Sequence, residues 1–313
     1  MKRLSICLAL AIAAAPAAAD DFPSRLLRLV VPLSAGASPD ILARAFAEAM
    51  TPIIGQSIIV VNREGASGAI GNAFVASAAP DGYTLGFGPQ GPIVVVPHAK
   101  KESPYDLASF QPICQVYEDT FALFVGANSP IRDLPDLVAR AKAAPKALSF
   151  GSPGIATVPH LQVESLMVSA GFSMKHAPYR LVGQMIQDTL GGNTDLSVGS
   201  LASIRGSDAR VLAILGEKRS PVFPDAPIPG EFGYSISKTS FIGIYAPAAT
   251  PEPVVATLES ACQKAEASPA YRKLEADSGA LPAFLPRAEF TKRLVEDNAD
   301  KAALIKTLGI TME

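Results

Sequence analysis

The chain has 313 residues, of which 49% are hydrophobic and 18% charged, and its formal net charge at pH 7 is −2. This length allows a large buried core and predicts two lobes. The basic residues are not clustered, so the composition argues against nucleic acid as a partner.

The first 19 residues have the pattern of a secretory signal peptide. Lys2 and Arg3 precede the almost wholly apolar residues 4–15, and the small residues 17–19 precede Asp20. Cleavage after residue 19 leaves 294 residues with a formal net charge of −4, because two basic residues are lost. No later stretch reaches the length of a membrane span. We therefore expect a soluble, exported protein.

Apolar stretches typical of strands alternate with helical periodicities over most of the remaining chain, which predicts an α/β fold. The strands are predicted at residues 27–31, 58–61, 83–87, 110–116, 121–125, 148–150, 174–177, 195–198, 211–215 and 241–245. Helices are predicted to end near residue 79 and to cover residues 134–144, 160–170 and 181–190, and the chain beyond residue 251 reads as mainly helical.

The first strand is followed by a loop of small residues and then by an amphipathic helix. Ser38 is the predicted N-cap of this helix, and Pro39 suits its first position. Such a connection places free backbone N–H groups and the positive end of a helix dipole at one spot, which favours an anion. An ordinary strand-to-helix connection remains the alternative. The same order recurs at residues 148–170, where a small-residue loop precedes a second helix.

The sequence lacks the residue patterns of common catalytic and metal sites. His98, His160 and His176 are scattered without metal-ligand spacing, and no nucleotide-binding or nucleophile motif is present. We therefore predict no metal, no cofactor and no enzymatic activity. The remaining cysteines, Cys114 and Cys262, would lie in an oxidising compartment, where they could pair or stay free.

A set of short markers is spread over nearly the whole mature chain. The markers are Phe22-Pro23-Ser24-Arg25, Leu29-Val30-Val31-Pro32, Ala35-Gly36-Ala37-Ser38-Pro39-Asp40, Gly55-Gln56, Val61-Asn62-Arg63, Gly65, Gly68, Ala79-Pro80-Asp81-Gly82-Tyr83-Thr84-Leu85, Ser103-Pro104-Tyr105-Asp106, Thr157, His160-Leu161, Pro178-Tyr179, Leu190-Gly191-Gly192, Asp195, Lys218-Arg219-Ser220, Pro224-Asp225, Ala246-Pro247 and Thr250-Pro251. In this order they resemble the periplasmic solute-binding proteins of tripartite tricarboxylate transporters, the Bordetella uptake gene family.

The resemblance implies a periplasmic protein with a two-lobed α/β fold of the Venus-flytrap type, similar to type II periplasmic binding proteins. The apolar strands at residues 121–125 and 241–245 predict a two-strand hinge between the lobes. We expect a first lobe of residues 21–120 plus 243–313 and a second lobe of residues 121–242. The implied function is capture of a small organic carboxylate between the lobes and delivery to the membrane permease subunits of a tripartite transporter. The protein is expected to be a monomer. A periplasmic sensor partner of a membrane receptor is the alternative.

The resemblance also implies a ligand site made mostly of backbone amides from one loop of each lobe, with Asp40 supporting the first loop. An ordinary first-turn acid is the alternative for Asp40, and for His160 we favour a helix-start residue that orders the loop. The expected ligand-binding residues are Leu33, Ser34, Ala35, Gly36, Ala37, Ser38, Asp40, Gly88, Pro89, Gln90, Ser152, Pro153, Gly154, Thr157, Tyr179, Leu181 and Ser200.

The chain departs from the family pattern at residues 154–159 and at residue 181, where polar or small residues are lost. Ile155, Val158 and Leu181 are apolar, and Pro159 has no N–H to donate. The sequence therefore predicts a ligand with one carboxylate, or an aromatic or branched acid, in preference to citrate.

Export can be tested by the mass of the mature chain. Because the small residues 17–19 follow the apolar stretch, intact-mass analysis of the periplasmic protein is expected to show a chain that starts at Asp20. An uncleaved product in the cytoplasm would contradict this prediction.

Overall fold

The computed structural model describes residues 22–312, so the expected signal peptide, its cleavage site and Glu313 lie outside the described residues. The strands are β1 (Leu27–Val31), β2 (Ile58–Asn62), β3 (Thr84–Pro89), β4 (Phe110–Asp119), β5 (Phe121–Gly126), β6 (Ser149–Ser152), β7 (Lys175–Pro178), β8 (Leu196–Ser200), β9 (Ala209–Leu215), β10 (Ser240–Pro247) and β11 (Leu281–Pro286). The helices are α1 (Ser38–Ile54), α2 (Ala69–Ala76), α3 (Gly91–Val94), α4 (Val96–Ala99), α5 (Leu134–Ala143), α6 (Val158–Ala170), α7 (Val182–Leu190), α8 (Leu201–Ile204), α9 (Glu252–Glu266), α10 (Pro269–Ser278) and α11 (Arg287–Leu308).

The first sheet has six strands in the order β11-β4-β10-β3-β1-β2. Strand β1 is parallel to β2 and β3, whereas β10 pairs antiparallel with β3 on one side and with β4 on the other. Because β1, β2 and β3 run in the same direction, the loops that follow them lie along one edge of the sheet. This edge carries the loop at residues 33–38, hereafter the first loop.

The second sheet repeats this arrangement with five strands in the order β7-β6-β8-β5-β9. Strand β6 is parallel to β7 and β8, and β5 is antiparallel to β8 and β9. The connection after β6, residues 152–157, therefore occupies the position in the second sheet that the first loop occupies in the first. We call it the second loop.

Helices cover both faces of each sheet, as the long apolar stretches of the strands require. On one face of the first sheet, Phe46 from α1 and Tyr271 from α10 pack edge to face, and Phe46 also contacts Phe87 of β3. On the opposite face, Phe290 of α11 packs against Phe241 of β10. The result is two α/β/α lobes, the two-lobed architecture expected from the sequence.

The chain crosses between the sheets twice. It leaves the first sheet at Thr120, between β4 and β5, and it returns before Ser240. Ser240 and Ile242 pair with residues of β4, so the pairing assigns them to the first sheet. The lobe limits, 21–120 plus 243–313 and 121–242, stay a prediction.

The predicted N-cap of α1 was wrong, because the cap is Ala37 rather than Ser38 and no side chain caps this helix. Gly88 and Pro89 belong to the end of β3, and residues 91–99 form two short helices. The chain beyond residue 251 is mainly helical, as predicted, and is interrupted by β11 at the edge of the sheet, where Pro282 and Pro286 are tolerated.

Cys114 of β4 and Cys262 of α9 form a disulfide, with Cα atoms 6.7 Å apart and both side chains fully buried. The bond links positions separated by 148 residues and ties α9 to the centre of the first sheet. It thereby closes a loop that contains the whole second lobe.

Reduction of this disulfide is expected to lower stability by about 2–4 kcal/mol, because the bond restricts the unfolded chain. The measurement is the melting temperature with and without dithiothreitol. The matched control is the double variant Cys114→Ala/Cys262→Ala, whose melting temperature should not respond to the reductant. Two titratable thiols in unreduced, denatured protein would contradict the assignment.

Candidate functional site

The first loop is held in shape by the buried carboxylate of Asp40. Asp40 Oδ2 accepts a hydrogen bond from the Gly36 N–H at 2.8 Å, and Asp40 Oδ1 accepts from Asn62 Nδ2 at 2.8 Å and from Arg44 Nη2 at 2.9 Å. Burial by itself would raise the pKa of Asp40, but the hydrogen bonds from Arg44, Gly36 and Asn62 outweigh it and hold the pKa below its usual value. Asp40 is therefore a loop-supporting carboxylate rather than a group free to contact a ligand.

The carboxyl end of β2 supplies two further contacts to the first loop. Asn62 Nδ2 donates to the Leu33 carbonyl at 3.1 Å, and the Ser34 hydroxyl donates to the carboxylate of Glu64. Sequence reasoning did not identify either Asn62 or Glu64 as part of the site. Their position just after a parallel strand that neighbours β1 is the signal that could have identified them.

Backbone N–H groups of the first loop remain available. Among residues 22–312, no hydrogen bond engages the N–H of Ser34, Ala35 or Ser38, whereas the Gly36 N–H is used by Asp40. Gly36 has a φ of +82°, and a Cβ atom placed there would meet nothing within 4 Å. The loop thus presents small residues and free amides to open space, as an anion site requires.

The second loop is built around the buried hydroxyl of Ser152. Ser152 Oγ lies 2.7 Å from His176 Nε2, and it accepts a hydrogen bond from the Gly154 N–H at 3.2 Å. The Thr157 hydroxyl donates to the Gly154 carbonyl at 2.8 Å. Gly154 adopts a φ of +142°, a conformation that L side chains rarely adopt. The hydroxyls of Ser152 and Thr157, both expected to bind the ligand, are therefore used inside the loop.

Two stacked histidines lie directly behind the second loop. Nδ1 of His160 accepts the Ala156 N–H at 3.2 Å, so His160 orders the loop as the favoured interpretation predicts. The rings of His160 and His176 have their centroids 4.0 Å apart, and Phe150 stacks on His176 at 4.8 Å. Burial, and next the neighbouring His160, lowers the pKa of His176 to about 3. His176 is therefore neutral at ordinary pH.

The second loop also offers free amides at a helix start. Helix α6 begins after Thr157 without a side-chain cap, and among the described residues the N–H groups of Ile155 and Thr157 have no hydrogen-bond partner. Helices α1 and α7 begin uncapped as well, whereas Asp133 caps α5 and Ser268 caps α10. Helices α9 and α11 are also uncapped, so an uncapped end alone does not mark a site.

The two lobes touch between the second loop and the turn at Ala66–Gly68. The Ser67 hydroxyl donates to the Ile155 carbonyl at 3.0 Å, and Ala156 is buried in the apolar cluster that lies on the first sheet. Ala66, Ser67 and Ala156 all have positive φ values, between 47° and 58°. This contact was not predicted, although the small residues around Ser67 allow the close approach.

Several of the expected ligand residues have their polar atoms engaged elsewhere. Gln90 is fully buried, and its Oε1 accepts from the Phe241 N–H at 3.0 Å. The Tyr179 hydroxyl lies 2.7 Å from Thr194 Oγ1 and donates to Asp188 at 3.0 Å. The remaining positions are as follows: Gly88 and Pro89 end β3, Pro153 is half-buried, Leu181 is 64% exposed, and the Ser200 hydroxyl donates to Ser203.

Other kinds of site receive little support from the described residues. Within residues 22–312, no group of three or more His, Cys, Asp or Glu side chains is arranged to hold a metal ion. None of the described helices combines the length and apolar character needed to cross a membrane. Two surface cavities lie beside Met167 and Val222, and none of the expected ligand residues lines either of them.

Comparison with known proteins relates the chain to one family. A family model described as "Tripartite tricarboxylate transporter family receptor" matches residues 42–310. The chain is 35% identical over 307 residues to a UPF0065 protein in the gbd 5′ region of Cupriavidus necator. The alignment covers 97% of this chain and 93% of that protein.

Solved structures show the same similarity. An R. palustris protein with adipate matches with a TM-score of 0.85 and 27% identity, over 93% of this chain and 99% of that one. MatC from Rhodopseudomonas palustris with bound malate matches with a TM-score of 0.80 and 25% identity, over 91% of this chain and 100% of that one.

The low pKa of His176 predicts how stability depends on pH. The folded chain keeps the ring neutral down to about pH 3, whereas the unfolded chain protonates it near 6.5. The contribution of His176 to the free energy of unfolding is therefore fully present above about pH 6.5. It falls as the pH decreases towards 3, because the unfolded state then binds more protons. Between pH 7 and 4.5, the free energy of unfolding measured with denaturant is expected to change less with pH in His176→Gln than in the natural chain. His98→Gln, at an exposed histidine, should keep the pH dependence of the natural chain.

Proposed function

Because the chain belongs to the tripartite tricarboxylate transporter receptor family, we propose that it is a periplasmic solute-binding protein that captures a small organic carboxylate between its lobes. In this proposal it acts as a monomer and delivers the ligand to the permease subunits of a tripartite transporter. The two lobes that would close on the ligand are proposed to be residues 21–120 plus 243–313 and residues 121–242.

One observation carries the proposal: each sheet presents a loop with free amides at the start of an uncapped helix. The N–H groups of Ser34 and Ala35 in the first loop, and of Ile155 and Thr157 in the second, have no partner among residues 22–312. Neither loop contains Lys or Arg. A carboxylate there would be held by oriented backbone dipoles rather than by a cation.

The relatives support a carboxylate as the ligand class. The structures of an R. palustris protein with adipate and of MatC with malate share the fold of this chain. In this chain the second loop and its surroundings present apolar side chains, because Ile155 is 39% exposed and Leu181 is 64% exposed. Val158, in contrast, is only 3% exposed and contributes little to the surface. We propose a monocarboxylate, or an aromatic or branched acid, rather than citrate.

We also propose that the protein is not an enzyme. The pair of Ser152 and His176 has the distance of a nucleophile and its base, 2.7 Å. However, Ser152 is fully buried, and its oxygen also accepts the Gly154 N–H. A hydroxyl in this position orders the loop and does not reach a bound substrate.

The direct experiment identifies the ligand and then measures its affinity. Mass spectrometry of the material that co-purifies with the protein names the candidate. Calorimetry on ligand-stripped protein then compares monocarboxylates, aromatic acids and branched acids with citrate. Detection of a converted product in the same samples would revive an enzymatic function.

Thr157→Val is expected to weaken carboxylate binding by about 1 kcal/mol, because the Gly154 carbonyl loses one of its two hydroxyl donors and the loop is held less firmly. Thr307→Val is the matched control, since Thr307 makes the same kind of hydroxyl-to-carbonyl bond on α11. Tight citrate binding that Thr157→Val leaves unchanged would show that both the site and the ligand class are misplaced.

A further inference from the structure

Glu64 is an acidic residue beside the first loop that the proposed capture of a carboxylate does not explain. Its carboxylate accepts the hydrogen of the Ser34 hydroxyl. Among residues 22–312, no Lys, Arg or His forms an ion pair with Glu64. The nearest cations along the chain are engaged elsewhere: the Arg63 guanidinium lies 3.7 Å from the Phe74 ring centroid, and Arg44 pairs with Asp40 at 2.9 Å.

The bond to Glu64 changes what Ser34 can offer to a ligand. A serine hydroxyl has one hydrogen to donate and two lone pairs that accept. Because the hydrogen of Ser34 is directed to Glu64, the hydroxyl presents only lone pairs to any further partner. Ser34 and Glu64 together therefore form an acceptor surface next to the free amides of the first loop.

The segment that carries Glu64 also borders the contact between the lobes. Glu64 is exposed and stands three residues before Ser67, whose hydroxyl reaches the Ile155 carbonyl of the second loop at 3.0 Å. Gly65 follows with a φ of +119° and starts the turn at Ala66–Gly68. An acid held between the two loops would thus lie near the carboxylate of Glu64 on the side of the first lobe.

We propose that Glu64 is a specificity-determining residue that rejects a second carboxylate at the first-loop end of the site. The proposal rests on the proposed function and narrows its ligand class to acids with a single carboxylate and a neutral remainder. The free amides hold one carboxylate, and the like charge of Glu64 repels another one close by. A neutral remainder, whether apolar or bearing a hydroxyl that donates to Glu64, meets no such repulsion.

The test compares acids that differ only in the second carboxylate. Calorimetry on the ligand-stripped, disulfide-intact chain measures hexanoate against adipate and benzoate against terephthalate. The natural chain is expected to bind each monocarboxylate more tightly than its dicarboxylate. Glu64→Gln keeps an oxygen that accepts from Ser34 but removes the charge. It should raise dicarboxylate affinity relative to monocarboxylate affinity by about tenfold, the size of one partly screened like-charge contact.

Two control variants separate the charge of Glu64 from other effects. Ser34→Ala removes the hydrogen bond but keeps the charge, so the preference for monocarboxylates should persist. Glu48→Gln removes an exposed charge from α1 in the same lobe, and the affinity ratio should not change. A ratio that shifts equally in Glu48→Gln would overturn the proposal, because the effect would then follow net charge alone.

The possible failures are distinguishable. If Glu64→Gln folds, binds the monocarboxylates and leaves the ratio as it is in the natural chain, Glu64 does not set specificity, while the carboxylate-binding function stands. If none of the four acids nor the co-purifying compound binds to the natural chain, the proposed function fails, and the role of Glu64 fails with it. Unfolding midpoints of each variant show whether a loss of binding follows from a loss of structure.

Discussion

The buried carboxylate of Asp40 is the interaction on which the first half of the site depends. Asp40 accepts the Gly36 N–H, Arg44 of α1 compensates the charge of Asp40, and Asn62 of β2 donates a hydrogen bond to it. A buried carboxylate without these partners would be costly, so the loop, the helix start and the strand end are tied into one unit. Because one amide is used for this purpose and Ser38 does not cap the helix, the remaining amides of the loop are left for another partner. The support and the free binding groups are thus two consequences of the same arrangement.

A second constraint operates where the chain crosses between the lobes. Each sheet receives an antiparallel strand from a crossing segment: β5 enters the second sheet directly after Thr120, and β10 returns to the first sheet. Gln90 Oε1 accepts from the Phe241 N–H, and Gln90 Nε2 donates to Asp297 at 3.3 Å. Lys301, which pairs with Asp297, also donates to the carbonyl of Lys238 at 3.2 Å. This buried network anchors the start of β10 to α11, which explains why a polar residue expected to face the ligand lies in the core.

The sequence predicted the order of the elements well, because alternating apolar strands and amphipathic helices are local patterns. Prediction was poorer where distant partners decide the outcome. Strand β11 contains prolines and is held at the sheet edge by pairing with β4. Gln90 forms its hydrogen bond with Phe241, about 150 positions later in the chain. In the candidate site, the loops could be located from small residues before helices, and the ordering role of His160 was correctly inferred. The contact from Ser67 to Ile155 could not be predicted, because no local pattern indicates which turn of one lobe meets which loop of the other.

The two loops reach a similar outcome by opposite electrostatic means. The first loop is held by a carboxylate whose hydrogen bonds keep its pKa low, so it remains charged over the ordinary pH range. The second loop is held by Nδ1 of His160, which must be unprotonated to accept the Ala156 N–H, and by His176, whose pKa of about 3 keeps it neutral. His176 is neutral at ordinary pH, so it does not place a charge beside the free N–H groups of Ile155 and Thr157. At the first loop, Asp40 accepts only the Gly36 N–H among the loop amides, while Arg44 compensates its charge and Asn62 donates a further hydrogen bond. In both loops, therefore, the supporting group is arranged so that the backbone dipoles remain the main attraction for an anion.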